Sequence, residues 1–264
     1  MDQPPADTAP SYALVTGGGS DIGVAIGRAL AAAGRHVVVS DLDPDRARHG
    51  AAQVPGGTAL ELDVRSARAV GRAVADLAAA HGPLAVLVNC AAVCANEQFE
   101  TITEPTWSAD LDVVLGGAIR MCQAVLPTMR QAGRGAVVNV ASVNGHRYFG
   151  NDVYSAAKAG LINLTRALAV QYGRFGVRIN SVSPGTIATA GWNERLRTHG
   201  DALEAARRWY PMGRVGTPDD VANAVAFLAS DRASWINGTD LAVDGGLLAG
   251  TPAFAADIGA RSVP

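Results

Sequence analysis

Short β-branched apolar segments alternate with longer alanine-rich segments along most of this 264-residue chain. Continuous apolar strands separated by helices are typical of a parallel sheet that is covered on both faces. Right-handed crossovers between such strands give a doubly wound sheet, so an α/β fold with helices flanking the sheet is expected. The predicted strands are Tyr12–Thr16, His36–Ser40, Thr58–Leu62, Leu84–Asn89, Ala136–Ala141, Val177–Val182 and Leu241–Val243, and the predicted helices are Ile22–Ala33, Pro44–Ala51, Ser66–His81, Glu104–Gln131, Val153–Phe175 and Pro218–Ser230.

The composition excludes several classes of function. Hydrophobic residues make up 48% of the chain and charged residues 17%, which is typical of a well-buried globular protein. The net charge is −2 and no block of basic residues occurs, so nucleic acid is not an expected partner. No apolar run is long enough to span a bilayer, so no membrane partner is expected either.

The three cysteines, Cys90, Cys94 and Cys122, lack the neighbouring ligands of a metal site, and His146 alone is no reason to propose one. No metal is therefore expected. The thiols indicate a reducing, cytoplasmic location. Cys90 and Cys94 can be interpreted as a redox pair, but small buried thiols are the preferred interpretation.

The chain shows no internal repeat and no linker. Residues 1–11 are acidic and proline-rich, which predicts a disordered tail rather than a signal peptide. Residues 12–264 are predicted to form a single domain. Within it, the irregular stretch at about 189–210 lies between a strand and a helix, where functional lids are often found.

A glycine-rich turn, Thr16-Gly-Gly-Gly-Ser-Asp-Ile-Gly23, follows the first predicted strand and opens a helix. Such a turn brings the backbone close to a phosphate, and the helix N-terminus adds partial positive charge. Asp41 ends the second strand, about 20 residues further on, where a ribose-binding acid is expected. Its carboxylate repels a 2′-phosphate, and neither Ser20 nor Leu42 supplies an arginine, so NAD is predicted over NADP. The alternative is that Asp41 and Asp43 merely begin a helix.

Lys158 is the only lysine, since the other basic residues are all arginine. A position that keeps lysine against this bias needs a compact, mobile charge rather than a planar one. Tyr154 and Lys158 are spaced i, i+4, so they share one face of a helix. Ser142 precedes them on a predicted loop, and the three side chains are expected at one site.

Together these motifs resemble the short-chain dehydrogenase/reductase family over most of the chain. Further matches are Asp63-Val64, Asn89, the run Asn180–Thr189 and Val243-Asp-Gly-Gly246. The resemblance implies a seven-stranded Rossmann-type sheet, a nicotinamide cofactor, interconversion of alcohol and carbonyl, and a homotetramer. It implies catalysis by Ser142, Tyr154 and Lys158. The predicted cofactor-binding residues are Gly17, Ser20, Asp21, Ile22, Asp41, Leu42, Asp63, Val64, Asn89, Tyr154, Lys158, Pro184, Gly185, Ile187 and Thr189.

The chain departs from the family pattern at three places. Asp21 stands where the family usually has glycine, and a carboxylate there is unfavourable beside a pyrophosphate unless it points toward ribose or solvent. Cys90-Ala-Ala92 replaces the family's Asn-Ala-Gly after Asn89. Val114 replaces an asparagine that the family uses to hold a relay water, so the relay must be rerouted, weakened or carried by backbone groups.

In the chemistry that the resemblance implies, Ser142 orients the substrate oxygen and Tyr154 transfers its proton. The charge of Lys158, about 5 Å away at an effective dielectric of about 20, is expected to lower the pKa of Tyr154. Asn144, Arg147 and Trp192 are the predicted substrate contacts, which suit a polar, sugar-like or hydroxy-acid alcohol or ketone. An ordinary solvated loop is the alternative for these residues.

Two other functions remain open from the sequence. Val114 and Asp21 favour an NAD-binding protein with weak or no turnover, whereas the Ser142–Tyr154–Lys158 set argues against it. A 3-oxoacyl reductase is the second alternative, although such enzymes usually prefer NADP. An apolar side of the helix after Tyr154, formed by Leu161, Ile162, Leu164 and Leu168, exceeds what one face against the sheet requires and is consistent with a homo-oligomer.

Overall fold

A computed structural model of the protein describes residues 12–94, 98–192, 197, 200–250, 254, 257 and 259. Seven parallel strands form one sheet in the order β3-β2-β1-β4-β5-β6-β7. This confirms the predicted doubly wound α/β fold. The strands are β1 (Tyr12–Thr16), β2 (His36–Asp41), β3 (Thr58–Glu61), β4 (Val86–Asn89), β5 (Gly135–Val140), β6 (Val177–Pro184) and β7 (Asp240–Val243).

The α-helices connect these strands and cover both faces of the sheet. Successive strand residues point to opposite faces, so Val37 and Val39 join one apolar cluster while Val38 joins the other. Both faces are buried, which explains why the central strands are continuously apolar. The helices are α1 (Asp21–Ala32), α2 (Pro44–Ala52), α3 (Ala67–His81), α4 (Glu104–Leu111), α5 (Gly117–Ala132), α6 (Asp152–Tyr172), α7 (Ala202–Arg207) and α8 (Pro218–Ala229).

The strand order reverses between β1 and β4, where Thr16 is paired with Asn89 at the carboxyl ends of the two strands. In open α/β sheets, the crevice beyond such a reversal is where ligands bind. The glycine-rich turn follows β1 directly. The fold therefore opens a crevice beside the turn that the sequence singled out.

Helix α8 begins at Pro218, as predicted, and carries a capping box. Thr217 caps this helix by accepting from the backbone N–H of Asp220, and the carboxylate of Asp220 accepts from the backbone N–H of Thr217. Pro218 occupies the first turn, where its missing N–H costs nothing.

The prediction of one continuous helix over Glu104–Gln131 is wrong in one respect. A π-helical turn, Asp112–Gly116, separates α4 from α5 and contains the buried Val114. A π turn inserts one residue into the helical repeat. The apolar pattern on both sides still has helical spacing, so the sequence shows no break.

The predicted tail, residues 1–11, lies outside the described residues, and the boundaries of the domain and lid remain predictions. Helix α7 falls inside the predicted lid. Among the residues that the structure describes, no helix is long and apolar enough to cross a membrane.

Candidate active site

The glycine-rich turn is packed too tightly for a side chain at any of its four glycines. Gly17 has a φ of 62°, and a Cβ atom there would lie 2.7 Å from the Cα atom of Ala91. A Cβ atom on Gly23 would lie 2.5 Å from the carbonyl oxygen of Gly17. Ser20 caps α1, since its Oγ donates to the carbonyl oxygen of Gly17 at 2.7 Å and accepts from the N–H of Gly23 at 3.1 Å. The N-terminus of α1 therefore faces the crevice as an anion-binding end.

Asp41 ends β2 and is buried, with 7% of the residue exposed. Its Oδ2 accepts from the N–H of Gly19 at 3.2 Å and its Oδ1 from the N–H of Asp43 at 3.3 Å. The guanidinium of Arg46 lies 3.9 Å from Oδ2. It is Asp43, not Asp41, that caps α2, so the helix-start interpretation holds only for Asp43.

A cavity of about 1080 Å³ opens at the carboxyl ends of the strands. It brings together residues that are far apart in sequence, including parts of the glycine-rich turn, the β5–α6 connection and the segment after β6. Ten of the predicted site residues line it: Ser20, Ile22, Ser142, Asn144, Tyr154, Lys158, Pro184, Gly185, Ile187 and Thr189.

The remaining predicted site residues whose side chains the structure describes do not line this cavity. Asp63 forms a bidentate ion pair with Arg65 at 2.8–2.9 Å, and Leu42 and Arg147 are exposed. Asn89 is buried and donates to Asn139 at 2.8 Å, while its Oδ1 has no partner in the described part of the chain. Gly17, Asp21, Asp41 and Val64 also lie outside the lining, and the side chain of Trp192 lies outside the described residues.

Ser142, Tyr154 and Lys158 converge at the centre of the cavity. Lys158 is buried, its Nζ donates to the carbonyl oxygen of Val140 at 2.6 Å, and this nitrogen lies 5.4 Å from the centroid of the Tyr154 ring. Ser142 Oγ donates to Oδ1 of Asn144 and accepts from its backbone N–H, both at 3.2 Å. A hydroxyl, a phenol and an amine thus face one volume.

Burial dominates the protonation of the two titrating groups. It lowers the pKa of Lys158 to about 8, the nearby thiols Cys90 and Cys94 acting in the opposite direction. Burial also raises the pKa of Tyr154, which a hydrogen bond with Ser142 only partly offsets. The expectation of a lowered pKa for Tyr154 is therefore wrong for the protein alone, because desolvation of the phenolate is the largest effect on it.

Asn144 is held by the protein itself. Its Nδ2 donates to the carbonyl oxygen of Gly150 at 2.8 Å and to Oγ of Ser155 at 3.3 Å. These bonds fix the amide so that Oδ1 faces Ser142. The geometry makes Asn144 a support for the serine hydroxyl as much as the substrate contact that was predicted.

Several lining residues were missed by the sequence analysis. Tyr210 lines the cavity, and its hydroxyl accepts from the N–H of Thr186 at 2.6 Å. Asn151 lines it with a left-handed φ of 59°, which asparagine tolerates better than most residues. Cys94 is exposed at the cavity wall, contrary to the prediction of small buried thiols, whereas Cys122 is buried. No local pattern marked these positions, since each reaches the cavity through tertiary packing.

Comparison with known proteins identifies the family. A family profile described as Enoyl-(Acyl carrier protein) reductase matches residues 17–248. A crystal structure of an oxidoreductase of the short chain dehydrogenase/reductase family from Burkholderia thailandensis superposes with a TM-score of 0.91 at 39% identity, covering 97% of this chain and 99% of that one. The chain belongs to the short-chain dehydrogenase/reductase family.

Two curated relatives in the short-chain dehydrogenase/reductase group are similar over nearly their whole length. An uncharacterised oxidoreductase of Schizosaccharomyces pombe is 43% identical over 93% of each chain. D-threitol dehydrogenase of Mycolicibacterium smegmatis is 39% identical over 89% of this chain and 91% of its own. The chain is therefore an oxidoreductase of the family that acts on alcohol and carbonyl groups and binds a nicotinamide cofactor.

All three departures from the short-chain dehydrogenase/reductase pattern have structural descriptions. Val114 is buried within the π turn between α4 and α5, so this turn forms without asparagine. Asp21 is the first residue of α1, and its carboxylate accepts from the backbone N–H of Ala190, across the crevice. The third departure, Cys90, lines the cavity, and burial raises the pKa of its thiol to about 11.

Proposed function

We propose that the protein is an NAD(H)-dependent oxidoreductase that interconverts a polar secondary alcohol and its ketone. The observation that carries the proposal is that Ser142, Tyr154 and Lys158 line one cavity together with Ser20 and Ile22 of the glycine-rich turn. A cavity that joins an anion-binding helix end to a hydroxyl, a phenol and an amine suits a dinucleotide and a small alcohol side by side.

The residues around the crevice fit a dinucleotide. The turn at Gly17 leaves no room for a side chain, and the N-terminus of α1 suits a diphosphate. Asp41 would accept hydrogen bonds from the adenosine ribose hydroxyls, and its negative charge would disfavour a 2′-phosphate, which supports NAD. By family resemblance, Leu42, Asp63, Val64 and Asn89 would line the adenine and ribose path, and Pro184, Gly185, Ile187 and Thr189 the nicotinamide end. When bound, NAD supplies the hydride acceptor, and NADH the donor.

Tyr154 is the proposed general base in oxidation and general acid in reduction. Its hydroxyl exchanges one proton with the substrate oxygen, and Ser142 holds that oxygen by hydrogen bonding. Asn144 keeps the Ser142 hydroxyl in place. Lys158 provides positive charge beside the Tyr154 ring, and with a pKa of about 8 it can also pass on a proton near neutral pH.

A polyol or hydroxy acid is the proposed substrate class. Asn144 and Asn151 place amides at the cavity wall, and Trp209 and Leu247 give it an apolar side against which a small carbon skeleton can pack. The similarity to a relative named D-threitol dehydrogenase supports a polyol. Arg147 and Trp192 remain predicted contacts of this substrate.

A 3-oxoacyl reductase is the second candidate, favoured by the acyl-carrier description of the matching profile. Asp41 argues against it to the extent that such enzymes prefer NADP. A protein that binds NAD with weak turnover is the third candidate, and the intact Ser142, Tyr154 and Lys158 set argues against that function. A cytoplasmic homotetramer completes the proposal, supported by the thiol content and the family.

Purified protein assayed for NADH absorbance with C4 and C5 polyols, hydroxy acids and 3-oxoacyl thioesters tests the proposal. Turnover of a polyol with NAD is the expected result. Preferential reduction of a 3-oxoacyl thioester with NADPH would favour the second candidate. Nucleotide binding without turnover of any compound would favour the third.

A further inference from the structure

The carboxylate of Asp21 joins two segments that are 169 residues apart. Its Oδ2 accepts a 2.6 Å hydrogen bond from the backbone N–H of Ala190. Asp21 is the first residue of α1, and Ala190 begins the short 3-10 turn Ala190–Trp192 that follows β6. Glycine, the usual family residue at position 21, has no side chain with which to make this bond.

The bond lies at the edge of the large cavity. Ser20 and Ile22 flank Asp21 and line the cavity from one side, and Thr189 and Gly191 flank Ala190 and line it from the other. The two bonded residues are not among those that line the cavity themselves. The Asp21–Ala190 hydrogen bond therefore connects the two walls of the cavity without lining the cavity itself. We refer to this hydrogen bond as the strap.

The location of Asp21 favours a firm bond. A carboxylate at the first position of a helix is stabilised by the partial positive charge of the helix end. Hydrogen bonds from an amide to a carboxylate are shorter and stronger than those between neutral groups. Since the backbone N–H of Ala190 is fixed to the wall, holding this one group restrains the segment Thr189–Gly191.

We propose that Asp21 is a positioning residue that straps the Thr189–Gly191 wall to α1 and so slows the release of the dinucleotide. The second half of this statement rests on the proposed function, because it assumes that a nicotinamide dinucleotide occupies the cavity. The first half concerns the protein alone. The cavity wall is then preformed by a side chain that the family pattern lacks at this position.

A purely electrostatic role makes a different prediction. If Asp21 acted only by repelling the diphosphate, removal of its charge would tighten binding whether or not a hydrogen-bond acceptor remained. Asp21→Asn keeps an acceptor oxygen and removes the charge, whereas Asp21→Ala removes both. The two variants therefore distinguish the hydrogen bond to Ala190 from the repulsion of the diphosphate. Asp76→Ala, at an exposed position on α3, is the control for loss of one negative charge.

The experiment measures hydrogen exchange at the Ala190 amide in the cofactor-free protein and NADH release by stopped-flow fluorescence. In Asp21→Ala we expect faster amide exchange and roughly fivefold to tenfold faster NADH release, as for loss of one charge-assisted bond. The KM for NADH should rise more than kcat changes. Asp76→Ala should stay within about twofold of the unmodified protein, and Asp21→Asn, which keeps an acceptor oxygen but loses the charge assistance, should fall between the unmodified protein and Asp21→Ala.

An unchanged rate of hydrogen exchange at the Ala190 amide in Asp21→Ala would contradict the proposal that Asp21 holds this segment. Tighter NADH binding in both Asp21 variants would contradict it as well. Equal loss in Asp21→Asn and Asp21→Ala also overturns it, because the acceptor oxygen would then have no role. Failure of the unmodified protein to bind NADH would instead contradict the proposed function. The exchange measurement would still decide whether Asp21 holds the wall.

Discussion

The ammonium nitrogen of Lys158 lies 5.4 Å from the centroid of the Tyr154 ring and donates to the carbonyl oxygen of Val140 at 2.6 Å. Both side chains line the large cavity. Desolvation acts on them in opposite directions, raising the pKa of the phenol and lowering that of the amine. Each group is thereby shifted toward its neutral form in the protein alone.

The lowered pKa of Lys158 predicts a pH-dependent stability. Between its folded value of about 8 and its ordinary value of 10.5, the folded state binds fewer protons at this site than the unfolded state. The contribution of Lys158 to the free energy of unfolding therefore rises with pH between these two values. Below pH 8 the burial of the charged amine lowers the free energy of unfolding by a constant amount of about 3 kcal/mol. Urea unfolding at several pH values measures the effect. The free energy of unfolding of Lys158→Met, relative to that of the unmodified protein, should be highest below pH 8 and should fall as the pH rises toward 10.5. A constant difference between the two proteins from pH 7 to pH 10 would contradict the shift.

Cofactor preference should follow Asp41. We expect NAD to be preferred over NADP by at least about tenfold in kcat/KM, or about 1.4 kcal/mol. Asp41→Ala should narrow the preference, because it removes the repelling charge and leaves Arg46, now 3.9 Å from that carboxylate, to pair with a 2′-phosphate. Adding Leu42→Arg should narrow or reverse it. The double variant Asp41→Ala with Arg46→Ala is the control. Its kcat/KM with NADP should not show the increase expected for Asp41→Ala alone. Equal use of both cofactors by the unmodified protein would refute this assignment.

The fold was predictable because its signals are local. Apolar runs, the Ser20 turn and the Thr217 cap each specify a nearby backbone conformation, and the strands of a parallel sheet follow from them. The π turn at Val114 could not be predicted from the sequence, since one inserted residue hardly changes the helical periodicity of the apolar residues. The contacts of Asp41 with Arg46 and of Asp21 with Ala190 depend on how distant segments meet, which single-sequence patterns do not specify.

The apolar side of α6 is largely buried within the chain itself. Leu161 and Ile162 were assigned to an apolar side in excess, yet both are buried within this chain, and Leu164 and Leu168 are half-buried. The homotetramer therefore rests on the family alone. Light scattering at micromolar concentration should give four times the mass of one chain. A monomer under these conditions would refute the tetramer.

Val114→Asn should destabilise the protein without raising turnover. Val114 is 2% exposed and does not line the cavity, so an amide there is buried without a ready partner, at a cost of about 1–3 kcal/mol. The half-buried neighbour Val113 provides the control, and Val113→Asn should cost less. Thermal unfolding and turnover in H₂O and D₂O measure both effects. Faster turnover with a smaller solvent isotope effect in Val114→Asn would show instead that the missing asparagine limits proton delivery.

The most direct test of the account is the comparison of Tyr154→Phe with the unmodified protein in NAD-dependent polyol oxidation. The variant keeps the ring beside Lys158 and lacks only the hydroxyl that exchanges the proton. We predict a fall in kcat of about 10²–10⁴-fold, the range of general acid–base catalysis, with NADH affinity little changed. Retention of most of the turnover in Tyr154→Phe would contradict the assignment of Tyr154 as the proton-transferring group, and with it the proposed mechanism.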